Sequence, residues 1–280
     1  METSIRTFGR GDIEFALAQT SREGWDTAAE LFETALAHDP DGAFVIEAEG
    51  GRAGMVTTTA YRRSGWIGNL IVPPDCRRQG IGQRLMTHAM AHLSRRGLRT
   101  MRLEADPPGI GIYRRLGFVD EFESLRFRLT TRRESRPAAA ERITHADLPT
   151  IAAFDARHFG AERGRLLTLL FRHAKAAYRL RGQRGVRGYA FATPSPDGVR
   201  LGPFVAEDSQ AAESLLESIL ADSRLTTIAV GVPGANDAAI ELLDGHGFQR
   251  TPSSFRMVFG ERVAAGRPDN VFAIANGAMG

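Results

Sequence analysis

The stretch Asn69-Leu70-Ile71-Val72-Pro73-Pro74-Asp75-Cys76-Arg77-Arg78-Gln79-Gly80-Ile81-Gly82-Gln83-Arg84-Leu85 decides the reading of this chain. Residues 70–72 are apolar and strand-like, and the two prolines end the run. A loop carrying Gly80 and Gly82 then opens a helical stretch with Ile81, Leu85, Ala89 and Leu93 on one face, closing at Gly97. A strand–loop–helix passage of this kind turns the first backbone N–H groups of the helix, and its positive dipole end, toward the loop. Glycines there let the backbone approach a ligand closely, so an anion such as a pyrophosphate is the expected guest. Two glycines are by themselves a common turn composition. The spacing meets neither usual nucleotide pattern: there is no G-x-x-x-x-G-K-[ST], and Leu85 stands where a dinucleotide fingerprint needs its third glycine.

Outward from this stretch the order is mixed. A strand reading at 6–8 leads to a helix start near Asp12, and an amphipathic helix runs through Trp25, Ala28, Leu31, Phe32 and Leu36. Strands are expected at 43–47, 53–60 and 66–72 before the loop, and at 100–103 and 124–129 after the helix, with a short helix around Tyr113. This is an α/β (α+β mixed sheet) domain. The plan then repeats. Arg142-Ile143-Thr144-His145-Ala146-Asp147 restates the opening, and Gly247-Phe248 with Ser254-Phe255-Arg256-Met257 restates Gly117-Phe118 with Ser124-Leu125-Arg126-Phe127. The polar, proline-closed run from Thr130 to Pro137 separates the copies. The expected organisation is therefore 1–131, a linker at 132–140, and 141–280.

Arg77-x-x-Gly80-x-Gly82, following Leu70, Val72 and Pro73, is joined a helix and a strand later by Tyr113-Arg114-Arg115-Leu116-Gly117-Phe118. On this pair of motifs, residues 3–130 resemble the GCN5-related N-acetyltransferase (GNAT) family. The resemblance implies acetyl-CoA as cosubstrate and direct attack by an amine on its thioester. It implies cofactor contacts from Ile71, Val72, Arg77, Arg78, Gln79, Gly80, Ile81, Gly82 and Gln83. The backbone of the strand at Ile71 and Val72 would receive the oxyanion, and Tyr113 would serve as the acid for the departing thiolate. One position departs: Asp106 stands where family members often carry Asn seven residues before the tyrosine.

The second copy resembles the same fold with its chemistry removed. Ala206-Glu207-Asp208-Ser209-Gln210 replaces the glycine loop, and Leu243 takes the place of the tyrosine. It is expected to be structural or substrate-shaping, leaving one active site in the first half. The alternative function is a noncatalytic acyl-CoA-binding or regulatory module. The general base is not legible; Glu104, Asp106, Asp26 and Glu30 are the carboxylates that could fall near the cleft. Cys76 reads as a spacer beside the loop.

Composition sets the outer bounds. The 280 residues carry a net charge of +3 with a sequence pI near 9.5, and Lys175 is the one lysine among 36 basic side chains. Arginine suits anionic ligands, and Arg157–Arg187 with Tyr178 and Tyr189 could suggest a nucleic-acid surface. The preferred reading is an amphipathic helix with Leu166, Leu170, Ala174 and Ala177 inward and Arg165, Arg172, Lys175 and Arg179 outward, so nucleic acid is not an expected partner. No apolar run is long enough for a spanning helix, and no secretory leader is recognisable, so a cytoplasmic monomer or homodimer acting on a small amine or peptide amine is expected. A single cysteine leaves no disulfide framework or cysteine-built zinc site, and no metal is expected. The tail Val271–Gly280 is apolar for a terminus and is expected to dock as an extra strand.

Overall fold

The computed structural model describes residues 3–25, 27–49, 51–130, 139–183, 185–222, 225–261 and 266–280. The first copy runs β1 (Ser4–Thr7), α1 (Ile13–Arg22), α2 (Ala29–His38), β2 (Ala43–Ala48), β3 (Gly51–Ala60), β4 (Gly65–Ile71), α3 (Ile81–Arg95), β5 (Thr100–Ala105), α4 (Ile110–Arg115) and β6 (Val119–Leu129). The second runs β7 (Glu141–Arg142), α5 (Leu148–Phe159), α6 (Gly164–His173), β8 (Ala176–Gly182), β9 (Gly185–Ser195), β10 (Gly198–Ala206), α7 (Ser209–Ala221), β11 (Ile228–Pro233), α8 (Asp237–Gly245), β12 (Gln249–Gly260) and β13 (Val271–Ala273). No helix among the described residues is long and apolar enough to cross a membrane.

These elements form two compact units whose membership departs from chain order. Unit 1 takes Met1–Val119, Met257–Val263 and Ala278–Gly280; unit 2 takes Asp120–Arg256 and Ala264–Gly277. The strand expected at 124–129 forms as part of β6, and its partner is β11 of the second copy, with Ser124 opposite Pro233 and Leu129 opposite Ile228. Unit 1 instead gains the end of β12 beside β5. Gly260 permits that approach: at φ +83° its Cα sits where a Cβ would lie 1.9 Å from the Arg99 carbonyl oxygen.

In unit 1 the order is β1-β2-β3-β4-β5-β12. The alternation of strand side chains assigns its two faces. Gly54 and Gly65 face α3, since a Cβ on either would run into Leu85 or Leu93. Met55 faces the other way and joins Phe8, Ala16, Phe32, Val45 and Ile71 in a core shared with α1 and α2. Thr57 and Thr59 follow Met55 at strand period, and their partners are Gly68 and Trp66. Trp66 and Gly68 therefore also lie on the α1–α2 face. Asn69, at φ +49°, makes the irregularity that shifts the register before Ile71. Burial of Asn69 is satisfied by Nδ2 donating to Thr57 Oγ1 at 3.0 Å.

The parallel pair β4–β5 is short: Gly65 opposes Met101 and Trp66 opposes Arg102, and the strands part beyond that. Unit 2 repeats the feature with Val199–Leu201 opposite Ile228–Val230. There the divergence is stitched. As the apolar tail predicts, β13 pairs antiparallel with β10, and Ile274 N–H donates to Gly231 O of β11 at 2.9 Å. Asparagine secures the arrangement, since Asn236 Nδ2 donates to Val271 O at 3.0 Å.

One expected helix is corrected. α6 ends at His173, so Ala177 and Arg179 belong to β8 and not to the helical stripe. The β8 segment is short and apolar at 176, 177 and 180, where the helical and strand periods cannot be told apart. Arg179 is buried, not outward, and pairs with Asp147 at 2.8 Å. Tyr189 is fully buried with its hydroxyl donating to Asp155 at 2.6 Å, so it offers no stacking surface.

Candidate active site

The loop after β4 is shaped by its backbone. Pro74–Cys76 forms a 3-10 turn, Arg78 takes φ +59°, and Gly80 at φ +77° is the residue from which α3 starts. A left-handed conformation at Gly80 favours glycine over any residue with a Cβ. α3 has no side-chain cap and no acidic residue in its first turn. The N–H groups of Ile81, Gly82 and Gln83 lack intrahelical acceptors by the geometry of any helix start, and they carry the positive dipole end. Gly82 sits where a Cβ would be 3.4 Å from Ile112 Cδ1 and 3.6 Å from Val72 Cγ2, so the loop is held between the end of β4 and α4.

The loop side chains divide. Arg77 braces the loop: its Nε donates to Val72 O at 2.9 Å and its guanidinium pairs with Glu23. Gln79 donates weakly to Asp75 O at 3.3 Å. Arg78, Gln79 and Gln83 are exposed, while Ile71 and Ile81 are buried. Val72 lies just past the last β3–β4 pair, Met55 with Ile71. Cys76 is half-buried in the turn.

Tyr113 stands on α4, half-buried, with its ring over Gly109; a Cβ there would meet Cε2 at 3.2 Å and Oη at 3.7 Å. Its recurring neighbours have a structural reason. Gly117 at φ +91° reverses the chain, Phe118 N–H donates to Tyr113 O at 3.0 Å, and the buried Phe118 ring meets Tyr113 edge-on at 6.2 Å. Burial, and secondarily the Asp106 carboxylate, pushes the Tyr113 phenol well above its ordinary value. The phenol therefore keeps its proton at every working pH.

Asp106, where the sequence departs from the family pattern, accepts a hydrogen bond from Trp25 Nε1 at 2.9 Å. This ties the segment after α1 to the end of β5. The apolar periodicity places Trp25 on a helical face, whereas it lies between α1 and α2; the signal for its role is that a half-buried indole N–H needs an acceptor. Glu104 lies on β5 and Glu30 in the first turn of α2, both half-buried. Asp26 lies outside the described residues.

Unit 2 keeps the frame and changes the chemistry. Gly247 at φ +79° and Phe248 reproduce the turn, with Phe248 N–H donating to Leu243 O at 3.1 Å, but Leu243 is a buried apolar side chain. Asn236, opposite number of Asp106, caps α8 through Ala239 N–H at 2.9 Å. At the start of α7, Asp208 accepts from Ala211 N–H at 2.8 Å and pairs with Arg187 at 2.6 Å. The anion position at this helix start is filled by the chain's own carboxylate. Elsewhere in the unit, Glu213, Glu217 and His246 bring possible ligand atoms within 4.8 Å of one another, with His246 and Glu213 already 3.3 Å apart.

Comparison with known proteins agrees with this geometry. Residues 13–118 match the model described as Acetyltransferase (GNAT) family, and residues 151–273 match that described as Acetyltransferase (GNAT) domain. The chain is 26% identical to the holothin acyltransferase of Pseudoalteromonas sp. (strain SANK 73390), over 95% of this chain and 90% of that protein. It superposes on the crystal structure of an acetyltransferase-type protein from Pyrococcus horikoshii with a TM-score of 0.84 and 24% identity, covering 99% and 96% of the two chains. A tandem GNAT protein from the clavulanic acid biosynthesis pathway matches with a TM-score of 0.65 and 13% identity over 94% of this chain and all of that one, which speaks to the fold. With both halves matched and the motif residues gathered at one helix start, the chain is an N-acyltransferase that belongs to the GCN5-related N-acetyltransferase family.

Proposed function

We propose that unit 1 binds acetyl-CoA and transfers its acetyl group to the amine of a small molecule or peptide, and that unit 2 has no active site. The observation that carries this is the difference between two equivalent helix starts. α3 offers its first N–H groups beside diverging strands, whereas α7 is capped by Asp208 and its strands are stitched by β13. In this reading Gly80, Ile81, Gly82 and Gln83 take the pyrophosphate through backbone N–H groups, with Arg78 and Gln79 at its edge. The loop suits the group because a Cβ at Gly80 would meet nothing within 4 Å, so the backbone there is open to close approach. Arg77 acts on the loop, holding Val72 in place.

Acetyl-CoA supplies an activated acetyl thioester. The Ile71–Val72 backbone is the donor for charge developing on the acetyl oxygen. An amine of pKa ~10.4 is mostly protonated at pH 7, and removing that proton costs about 4–5 kcal/mol, so a base reached directly or through water is required. Asp106, held by Trp25 and with a charge that raises the Tyr113 phenol, is the carboxylate we assign to that role. Tyr113 donates its proton to the departing sulfur. Its raised pKa makes that donation uphill toward a thiolate in water, of pKa ~8.5. A thiolate formed in the same water-poor surroundings is itself more basic, which narrows the gap.

The test is a screen of amine acceptors with acetyl-CoA, followed by release of free thiol. Acceptor-dependent thiol release supports the reading. Acetyl-CoA binding with no release for any amine would leave a noncatalytic acyl-CoA-binding module instead.

A further inference from the structure

We propose that Ala278–Gly280 form a wall of the acceptor pocket in unit 1 and limit the size of the amine that fits; this rests on the acetyltransferase reading above. These three residues belong to unit 1, although the preceding Ala264–Gly277 belong to unit 2. They are buried, and Tyr61 Oη donates to Met279 O at 2.5 Å. A Cβ on Gly68 would lie 2.4 Å from Ala278 Cα, and one on Gly280 would lie 2.5 Å from Trp66 Cζ2. The segment therefore lies directly on β4 at Trp66 and Gly68, and both positions require the absence of a side chain.

Its place follows from the strand alternation. Gly54 and Gly65 face α3, the helix whose start would hold the pyrophosphate, while Trp66 and Gly68 face the α1–α2 side. The donor thus enters along α3, which leaves the α1–α2 face for the acceptor. Trp66 is also the last β4 residue paired with β5, so the segment sits where the strands begin to part. Gly68, under Ala278, is three residues before Ile71, about 10 Å along a strand. A small amine attacking an acetyl group held at Ile71–Val72 from that face would have residues 278–280 as its neighbour.

The probes are CoA conjugates bearing an S-acetamide whose nitrogen carries a methyl, butyl or benzyl group, with acetyl-CoA as control, all measured by calorimetry. In the wild type, affinity should fall from methyl to benzyl. Deleting residues 278–280 should raise the benzyl-to-methyl affinity ratio about tenfold or more, the scale on which pockets discriminate by volume. Tyr61→Phe, which only loosens the segment, should move the ratio severalfold in the same direction. Acetyl-CoA affinity should stay within about twofold throughout. An unchanged ratio in a folded deletion variant, or in Tyr61→Phe should the deletion not fold, overturns the wall while leaving the acetyltransferase reading intact. A wild type that binds no acetyl-CoA overturns both.

Discussion

The Asp208 carboxylate accepts a hydrogen bond from the Ala211 backbone N–H at 2.8 Å, closing the start of α7 with the chain's own negative charge. α3, which holds the same place in unit 1, starts from Gly80 and has no such cap. One frame thus has two fates: a helix start that can receive an anion, and one that supplies its own.

Asp208→Ala should lower stability by about 0.5–2 kcal/mol, the usual effect of losing an N-cap carboxylate. It should not create a second acetyl-CoA site, because β13 still joins β10 and β11. Denaturant melts and calorimetric stoichiometry read the two expectations separately. A second binding event in this variant would show that the cap alone had silenced unit 2.

Tyr113→Phe should keep acetyl-CoA affinity and lower turnover by ~10²-fold or more, the scale of a lost general acid. The ring can remain over Gly109 and against Phe118, so the fold should be unaffected. The measurement is kcat at a pH where chemistry limits the rate. Unchanged kcat would make Tyr113 a packing residue.

Much of this was legible in the sequence, for identifiable reasons. The glycine loop and the Tyr113–Phe118 run announce themselves because Gly80 and Gly117 sit at positive φ, which few other residues accept. The tail reads as a strand because Val271–Ile274 is apolar. Other features were hidden. That β6 pairs with β11 depends on contacts far apart in the chain, which local periodicity does not carry. Arg179 looked like an outward helical charge because β8 is too short to show its period, and its partner Asp147 lies on another element. The Trp25–Asp106 hydrogen bond joins residues 81 positions apart, so neither side chain announced the other.

Asp12 should contribute a pH-dependent share of stability. The hydrogen bond from Arg6, and after it those from Gly9 N–H and Arg52, holds its carboxyl below the usual carboxylate range, against the opposing effect of burial. A depressed folded-state pKa gives stabilisation that is present above the unfolded value of ~3.9 and is lost as pH falls through the folded one. Asp12→Asn should therefore melt below the wild type at pH 6, and the gap should shrink steadily below about pH 4. A gap independent of pH would mean that packing, not the ion pairs, carries the effect.

The most direct test of the central claim is calorimetry with acetyl-CoA on the wild type and on Gly82→Leu. A Cβ at Gly82 would already touch Ile112 and Val72 at 3.4 and 3.6 Å, so a leucine at the start of α3 must push these neighbours, and with them the loop assigned to the pyrophosphate, out of place. One site per wild-type chain, and none in a Gly82→Leu protein that still melts cooperatively, is the predicted result. Two equivalent sites in the wild type, or undiminished binding in Gly82→Leu, would contradict a single site built on the 77–83 loop.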